Sequence, residues 1–288
     1  MAVYKRNYRA YSGPVRSTGS RWLVITRFSL AEVFGSKVST VLFTLCLVPA
    51  LLTAVVIYVA NSDTARLLLN MRGPSILAIN NGFFFRILGI QGWLAMFLTA
   101  WVGPLMVSPD LTNNALPLFL SRPLSRMEYL AGKFSVLAII LSAVTWLPVL
   151  LLFGIQAQMS RGPWLGPNLF VVPAIVLGSA LWIAVLSLLS LAVSAWVRWR
   201  IVATGLTVAM LLIPAGFGQV MNVVLRTKWG FLLNVPYLIT LVWAHLFRAP
   251  LPFQTVPVPA AWISLLAACG ISLVLVHKRI QARQVVRG

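Results

Sequence analysis

Side chains able to do acid–base, nucleophilic or metal chemistry are scarce here: four carboxylates, two histidines and two cysteines in 288 residues. The chain has no His-Glu-x-x-His zinc motif, and its histidines are His245 and His277. Cys46 and Cys269 both sit inside apolar runs and read as small core hydrophobes, since two thiols alone make no metal cluster. Gly132-Lys133 is followed by Phe134 and lacks the upstream glycine of a phosphate loop, so this chain does not hydrolyse ATP by that route. No Gly-x-Ser-x-Gly elbow occurs, and no Ser/His pair is suggested within the apolar runs. A proton-driven carrier usually keeps an ionisable group in mid-membrane. Here Asp63 and Asp110 stand only at the edges of apolar runs. The reading is a chain that is not an enzyme, with no cofactor or metal of its own and an energy source outside it.

These few groups are set in a chain that is 60% hydrophobic and 9% charged, with a mean hydropathy of +0.91. A soluble domain carries about 25% charged residues. Composition therefore excludes a soluble enzyme, a disordered tail and a secreted disulfide scaffold. Six apolar runs without Asp, Glu, Lys or Arg stand out: Val38–Ala60, Ile87–Ser108, Phe134–Gln156, Phe170–Val197, Ile201–Val224 and Val256–Val276. Each is long enough to cross about 30 Å of hydrocarbon as a helix. Continuous runs, rather than alternation over about ten residues, exclude a β-barrel. The fourth run exceeds a span and is expected to tilt or to project. The expected fold is an all-α membrane protein with six transmembrane helices. Residues 1–37 form a cytoplasmic basic arm and interfacial helix, and residues 38–288 a six-span transmembrane domain.

The net charge of +19 is read as topology and not as nucleic-acid binding. With both termini in the cytoplasm, 16 of the 23 Lys and Arg residues lie inside and 7 outside. A seventh apolar segment, Phe231–Phe247, contains Asn234, Pro236 and His245 and lies between Lys228 and Arg248. Counting it as a span would export the His277-Lys278-Arg279 cluster, so it reads as re-entrant or as lying in the outer interface. His245 there reads as an interfacial polar residue.

The first 37 residues carry seven Lys and Arg and no early apolar stretch, which does not read as a signal peptide. Arg21–Lys37 mixes Trp22, Ile25, Phe28, Leu30, Val33 and Phe34 with Arg27, Glu32 and Lys37. That mixture suits a helix in the membrane interface, or a cytoplasmic lead into the first span.

The segment Val107–Lys133, between the second and third spans, has a legible helix grammar. Ser108-Pro109 can serve as cap and first helical residue, with Asp110 in the favoured first turn. Pro117 and Pro123 interrupt the rest of the loop. Ser125-Arg126-Met127-Glu128 matches a capping box, with Leu124 and Tyr129 at the staple positions. The third helix is therefore expected to begin near Arg126, before its apolar run. The segment is either a docking surface for a soluble partner or a well-capped connector.

The stretch Asp110 … Leu120-Ser121-Arg122-Pro123-Leu124-Ser125-Arg126 … Glu128-Tyr129-Leu130 … Gly132-Lys133 resembles the same loop of type-2 ABC transporter permeases. There, an Asp ending the second span is often followed by "lSRPlsR-x-eYl-x-GK". The six spans, the basic segment before them and the hydrophobic segment before the last one agree with that family. The resemblance implies that the loop is a coupling helix docking on an ATP-binding cassette subunit, with Asp110, Leu120, Arg122, Pro123, Arg126 and Glu128 in the contact. It also implies a second copy or a related permease as partner, ATP and Mg held by the ATP-binding subunit, and a place among bilayer lipids in a bacterial inner membrane. Export is the expected direction.

Polar residues Asn80, Asn81, Gln91 and Thr99, in or just before the outer half of the second span, are candidates for a translocation path or for a wetted entrance. Small residues at helical spacing, such as Ser190 with Ser194 and Gly205 with Ala209, allow close helix packing. The runner-up function is a structural membrane subunit of a larger complex. The missing catalytic pairs count against an intramembrane enzyme.

Overall fold

The computed structural model of the chain describes residues 21–68, 79–113, 125–160, 163–250 and 256–279. Among these residues all regular structure is helical: α1 (Arg21–Gly35), α2 (Lys37–Asn61), α3 (Asp63–Leu68), α4 (Asn81–Val102), α5 (Pro104–Thr112), α6 (Arg126–Val144), α7 (Trp146–Met159), α8 (Leu165–Asn168), α9 (Val171–Trp196), α10 (Arg200–Val224), a 3-10 turn (Trp229–Leu233), α11 (Val235–Leu246) and α12 (Val258–Arg279). Six stretches are long and apolar enough to cross a membrane: Lys37–Asn61, Asn81–Thr112, Arg126–Met159, Leu165–Trp196, Arg200–Val224 and Val258–Arg279. The chain is thus an all-helical protein of multi-pass membrane type, and each of the six expected runs falls on one of these stretches, Phe170–Val197 and Val256–Val276 overrunning theirs by one and two residues.

The second span departs most from its expected bounds. It begins at Asn81, because Asn80 caps the helix by accepting from the Phe83 backbone N–H at 3.1 Å, and this draws Arg86 into the helix. The span then breaks at Gly103-Pro104. Proline suits the first turn of a helix, where its missing N–H has no partner to lose. Ser108-Pro109 therefore does not start the helix, contrary to expectation; both residues lie inside α5. The Ser108 hydroxyl is used elsewhere, donating to the Val197 carbonyl at 2.7 Å. Ser194, on α9, replaces the missing cap: its Oγ accepts from the N–H groups of Val107 and Ser108 at 3.1 and 2.9 Å. Gly103 permits this approach, since a Cβ there would meet both Ser190 and the Thr99 carbonyl oxygen. Ser190 and Ser194 are thus packing residues within the chain. Ser194→Ala is expected to remove the acceptor shared by two buried N–H groups and cost about 1–3 kcal/mol, read as a lower melting temperature in detergent.

The third span also breaks, at Thr145, between α6 and α7. Pro148 has no N–H to offer the carbonyl four residues back, and the Thr145 hydroxyl donates to the Leu141 carbonyl at 2.7 Å. The capping box at Ser125 forms as expected: Ser125 Oγ accepts from the Glu128 N–H at 3.1 Å, and the Glu128 carboxylate accepts from the Ser125 N–H at 2.6 Å.

Helix α9 forms the centre of the bundle. Val171, Ile175, Leu186 and Leu191 along it are wholly buried, and α4, α5, α6, α11 and α12 all pack on it. Helices α2, α10 and α12 are peripheral, with only 22%, 22% and 17% of their most apolar stretches buried. Their outer faces carry Leu51, Leu52, Ile213, Val223, Ile263 and Leu266, all exposed. A helix apolar on its exposed face needs a non-aqueous neighbour.

Beyond α10 the chain packs back into the bundle. Gly230, in the 3-10 turn, lies against Gly218 of α10, so close that a Cβ on either residue would strike the other's carbonyl oxygen. The Gly230 N–H donates to Asn222 Oδ1 at 2.7 Å. Helix α11, 12 residues and about 18 Å long, is too short to span. It sends Trp243 between α4 and α9, where Gly92 and Gly178 leave room for the indole and a Cβ on either would collide with it. Trp182 stands edge-on to Trp243, ring centroids 6.2 Å apart, and donates from Nε1 to the Gly92 carbonyl at 3.0 Å.

Candidate partner-docking site

The residues of the loop motif assemble at the end of the bundle where α5 and α6 meet. Asp110 lies in the last turn of α5, and Tyr129 and Lys133 lie one turn apart on one face of α6. The Tyr129 hydroxyl donates to Asp110 Oδ2 at 2.6 Å, and Lys133 Nζ pairs with the same oxygen at 3.0 Å. Lys133 also stands 5.7 Å from the centre of the Tyr129 ring. The Lys133 side chain is 4% exposed and that of Asp110 18%, so the pair is largely out of water. A lysine that is almost wholly buried needs such partners to stay charged.

This cluster spans the loop. Asp110 precedes residues 114–124, and Tyr129 and Lys133 come after them, so the pair ties the two ends of the loop together. Residues 114–124 themselves lie outside the described residues, and with them the expected contact residues Leu120, Arg122 and Pro123. Arg126 is exposed at the start of α6, and Glu128, beside it, completes the capping box. Of the six expected contact residues, Asp110 faces inward to Tyr129 and Lys133, while Arg126 presents its side chain to solvent.

Helix α1 braces the cluster from below. Ile25 meets α6 at Gly132, where a Cβ would stand 2.9 Å from the Ile25 side chain. The Thr26 hydroxyl donates to the Gly132 carbonyl at 3.2 Å. The Gly132-Lys133 dipeptide thus does two jobs in adjacent residues: one admits α1, the other neutralises Asp110. At this end of the bundle Arg200 lies over the Trp101 ring at 4.8 Å and Arg279 over Trp196 at 5.2 Å. Stacked cation–aromatic pairs of this kind suit a membrane–water boundary.

The four polar residues of the second span are dispersed. Asn80 caps α4. Asn81 donates from Nδ2 to the Phe247 carbonyl at 2.7 Å, tying α4 to the end of α11. Gln91 is wholly buried, and its amide nitrogen reaches the carbonyls of Cys46 and Val144 at 3.0 and 3.3 Å, bridging α2 and α6. The Thr99 hydroxyl donates within its own helix, to the Ala95 carbonyl at 2.7 Å. Each of the four has a structural partner.

Two features differ from what the sequence pattern suggests. Charge counting places Lys133 among the loop cations, whereas it is buried in the Asp110 cluster. Trp243 carries no signal at all in sequence, although Gly92 and Gly178 both make way for it. Among the described residues, no three His, Cys, Asp or Glu side chains gather in a metal-binding group. Compared with known proteins, the chain matches no family model and no curated sequence.

Proposed function

We propose that this chain is the membrane-spanning permease subunit of an ATP-driven transporter, coupled to a separate ATP-binding subunit through residues 110–126. The observation that carries the reading is the Asp110–Tyr129–Lys133 cluster. Three residues of the motif that resembles the coupling loop of type-2 ABC permeases meet there, two of them in an ion pair largely out of water and the third, Tyr129, donating to it. Such a pair ties the end of α5 to α6 on either side of residues 114–124. A force applied to the loop would reach both helices, and through α9 the rest of the bundle.

In this reading the Asp110 end is cytoplasmic, as are both termini, and the membrane is a bacterial inner membrane. The bias of Lys and Arg supports that orientation. Helix α1 lies in the cytoplasmic interface: Ile25, Thr26, Ser29 and Val33 face the bundle, and Leu23 and Phe28 remain exposed toward lipid. The 3-10 turn and α11 form a re-entrant hairpin entered from the outer side. Their packing on Gly218, Trp182 and the Asn81 end of α4 supports it. A second copy, or a related permease, completes the pathway, and ATP and Mg sit on the partner ATPase. The chain's own part is to receive closure of the ATPase at the loop and to rock its helices, in the manner of an exporter.

Arg122→Glu tests this. An exposed charge costs the isolated protein little, within about 0.5 kcal/mol, whereas breaking a desolvated interfacial charge pair costs about 2–5 kcal/mol. The expected result is loss of the ATPase in pull-down with the permease's melting temperature unchanged. Retained ATPase and retained transport-coupled hydrolysis would make the loop a connector only, and favour a structural membrane subunit.

A further inference from the structure

A groove of about 170 Å³ runs between α4 and α11, at the end of the bundle away from Asp110. Phe85, Gly89, Trp93, Trp182 and Trp243 give it apolar and aromatic walls, and Arg86 is the single charged residue lining it. Two polar groups in its walls are engaged: Trp182 Nε1 donates to the Gly92 carbonyl, and the Thr240 hydroxyl donates to the Pro236 carbonyl at 2.8 Å, while Trp243 Nε1 is buried without a partner. No carboxylate among the described residues pairs with Arg86.

Arg86 is the sixth residue of α4, about 7.5 Å along the helix from Asn81. It is exposed, inside a stretch long and apolar enough to span a membrane. A cation at that depth is costly unless it meets an anion or reaches the headgroup layer. Below it the walls offer no further charge and are mainly apolar and aromatic, which suits an alkyl chain. The chemistry at the top of the groove is cationic, and in its depth apolar.

We propose that this groove binds one acidic phospholipid of the surrounding bilayer, its phosphate on Arg86 and one acyl chain along Gly89 and Trp93 toward Trp182. Basic sites between membrane helices recognise anionic headgroups in this way. The lipid would fill the gap left between α4 and the short α11, and so hold α11 in place. This inference stands apart from the transport reading and would survive its failure.

The test is native mass spectrometry of the full-length protein in a neutral detergent, titrated with phosphatidylglycerol or phosphatidylcholine of identical chains. One phosphatidylglycerol is expected to bind in preference to phosphatidylcholine. Hydrogen bonds to a charged group predict that Arg86→Gln weakens phosphatidylglycerol binding roughly ten- to a hundredfold. Gly89→Leu should abolish the bound lipid without disturbing the fold, because a Cβ at Gly89 meets nothing within 4 Å and the leucine can occupy the groove. Arg248→Gln removes a cation that stacks on Phe170 4.3 Å away and does not line the groove, and should leave binding unchanged. Equal binding of the two lipids would overturn the proposal. So would an Arg248→Gln loss as large as that of Arg86→Gln, or an undiminished preference in Gly89→Leu.

Discussion

Lys133→Met is expected to destabilise the protein by about 3 kcal/mol, because it leaves the Asp110 carboxylate largely buried beside a neutral side chain. Removing one member of a buried ion pair typically costs about 3–5 kcal/mol. The lower figure applies because Asp110 keeps 18% of its side-chain surface exposed. Tyr129 would still donate to Asp110 at 2.6 Å, which offsets part of the loss. The companion variant Asp110→Asn/Lys133→Met carries no buried charge, and replacing both members of such a pair is often neutral. The double variant should therefore melt closer to the parent than Lys133→Met does. Thermal unfolding in detergent measures both. Equal melting of parent and Lys133→Met would mean that the pair contributes nothing to the fold, and that the loop is not held by it.

The sign of this result also bears on function. If the cluster holds the loop for a partner, the double variant should fold yet transmit poorly, since two neutral side chains grip less firmly than an ion pair. Loss of coupling with stability retained would then separate the mechanical role from the structural one.

Trp243→Ala carries the second large effect. The indole is buried between α4 and α9, and truncating a buried tryptophan costs about 3–5 kcal/mol through lost burial and the cavity left behind. Gly92→Ala is expected to cost about 1–3 kcal/mol in the parent, since its Cβ would stand 2.5 Å from the Trp243 ring. In the Trp243→Ala background that collision is gone, and the same substitution should be tolerated or slightly favourable. A double-mutant cycle on melting temperature reads this as a coupling energy. Additive effects would mean that Trp243 does not fill the space the two glycines leave.

Much of the fold is legible in sequence because it depends on local signals. Apolar runs long enough to cross a bilayer locate all six stretches, and the Ser125–Glu128 box places the start of α6 at Arg126. The hidden part depends on distant partners. Ser108-Pro109 reads as a helix start, and nothing local in sequence announces that Ser194, on another helix, accepts from the Val107 and Ser108 N–H groups inside α5. Arg86 falls outside the expected second span because charge sets the expected boundary, whereas the Asn80 cap sets the real one. In sequence Trp243 is one more residue of the short apolar segment Phe231–Phe247. Its role rests on two isolated glycines, neither of which stands out in sequence.

The candidate site is legible to a lesser degree. Asp110, Tyr129 and Lys133 all appear in the motif that resembles the permease family, but spacing alone does not pair Asp110 with Lys133 across a loop. The structural ties of the polar residues in the second span are hidden in sequence for a physical reason. Polar groups shielded from water tend to pair with backbone groups that lie far away in sequence: Asn81 and Gln91 do so on carbonyls of other helices, while Asn80 caps and Thr99 bonds within their own helix.

Whether this chain works with an ATP-binding partner through the loop between α5 and α6 is decided by the composition of its complex. That composition is read by native mass spectrometry after extraction from the native membrane in mild detergent. Two permease subunits are expected, with ATP-binding subunits in stoichiometric amount that dissociate when the loop is altered. A complex that holds a single copy of this chain, no related permease and no ATP-binding subunit would contradict the proposed function.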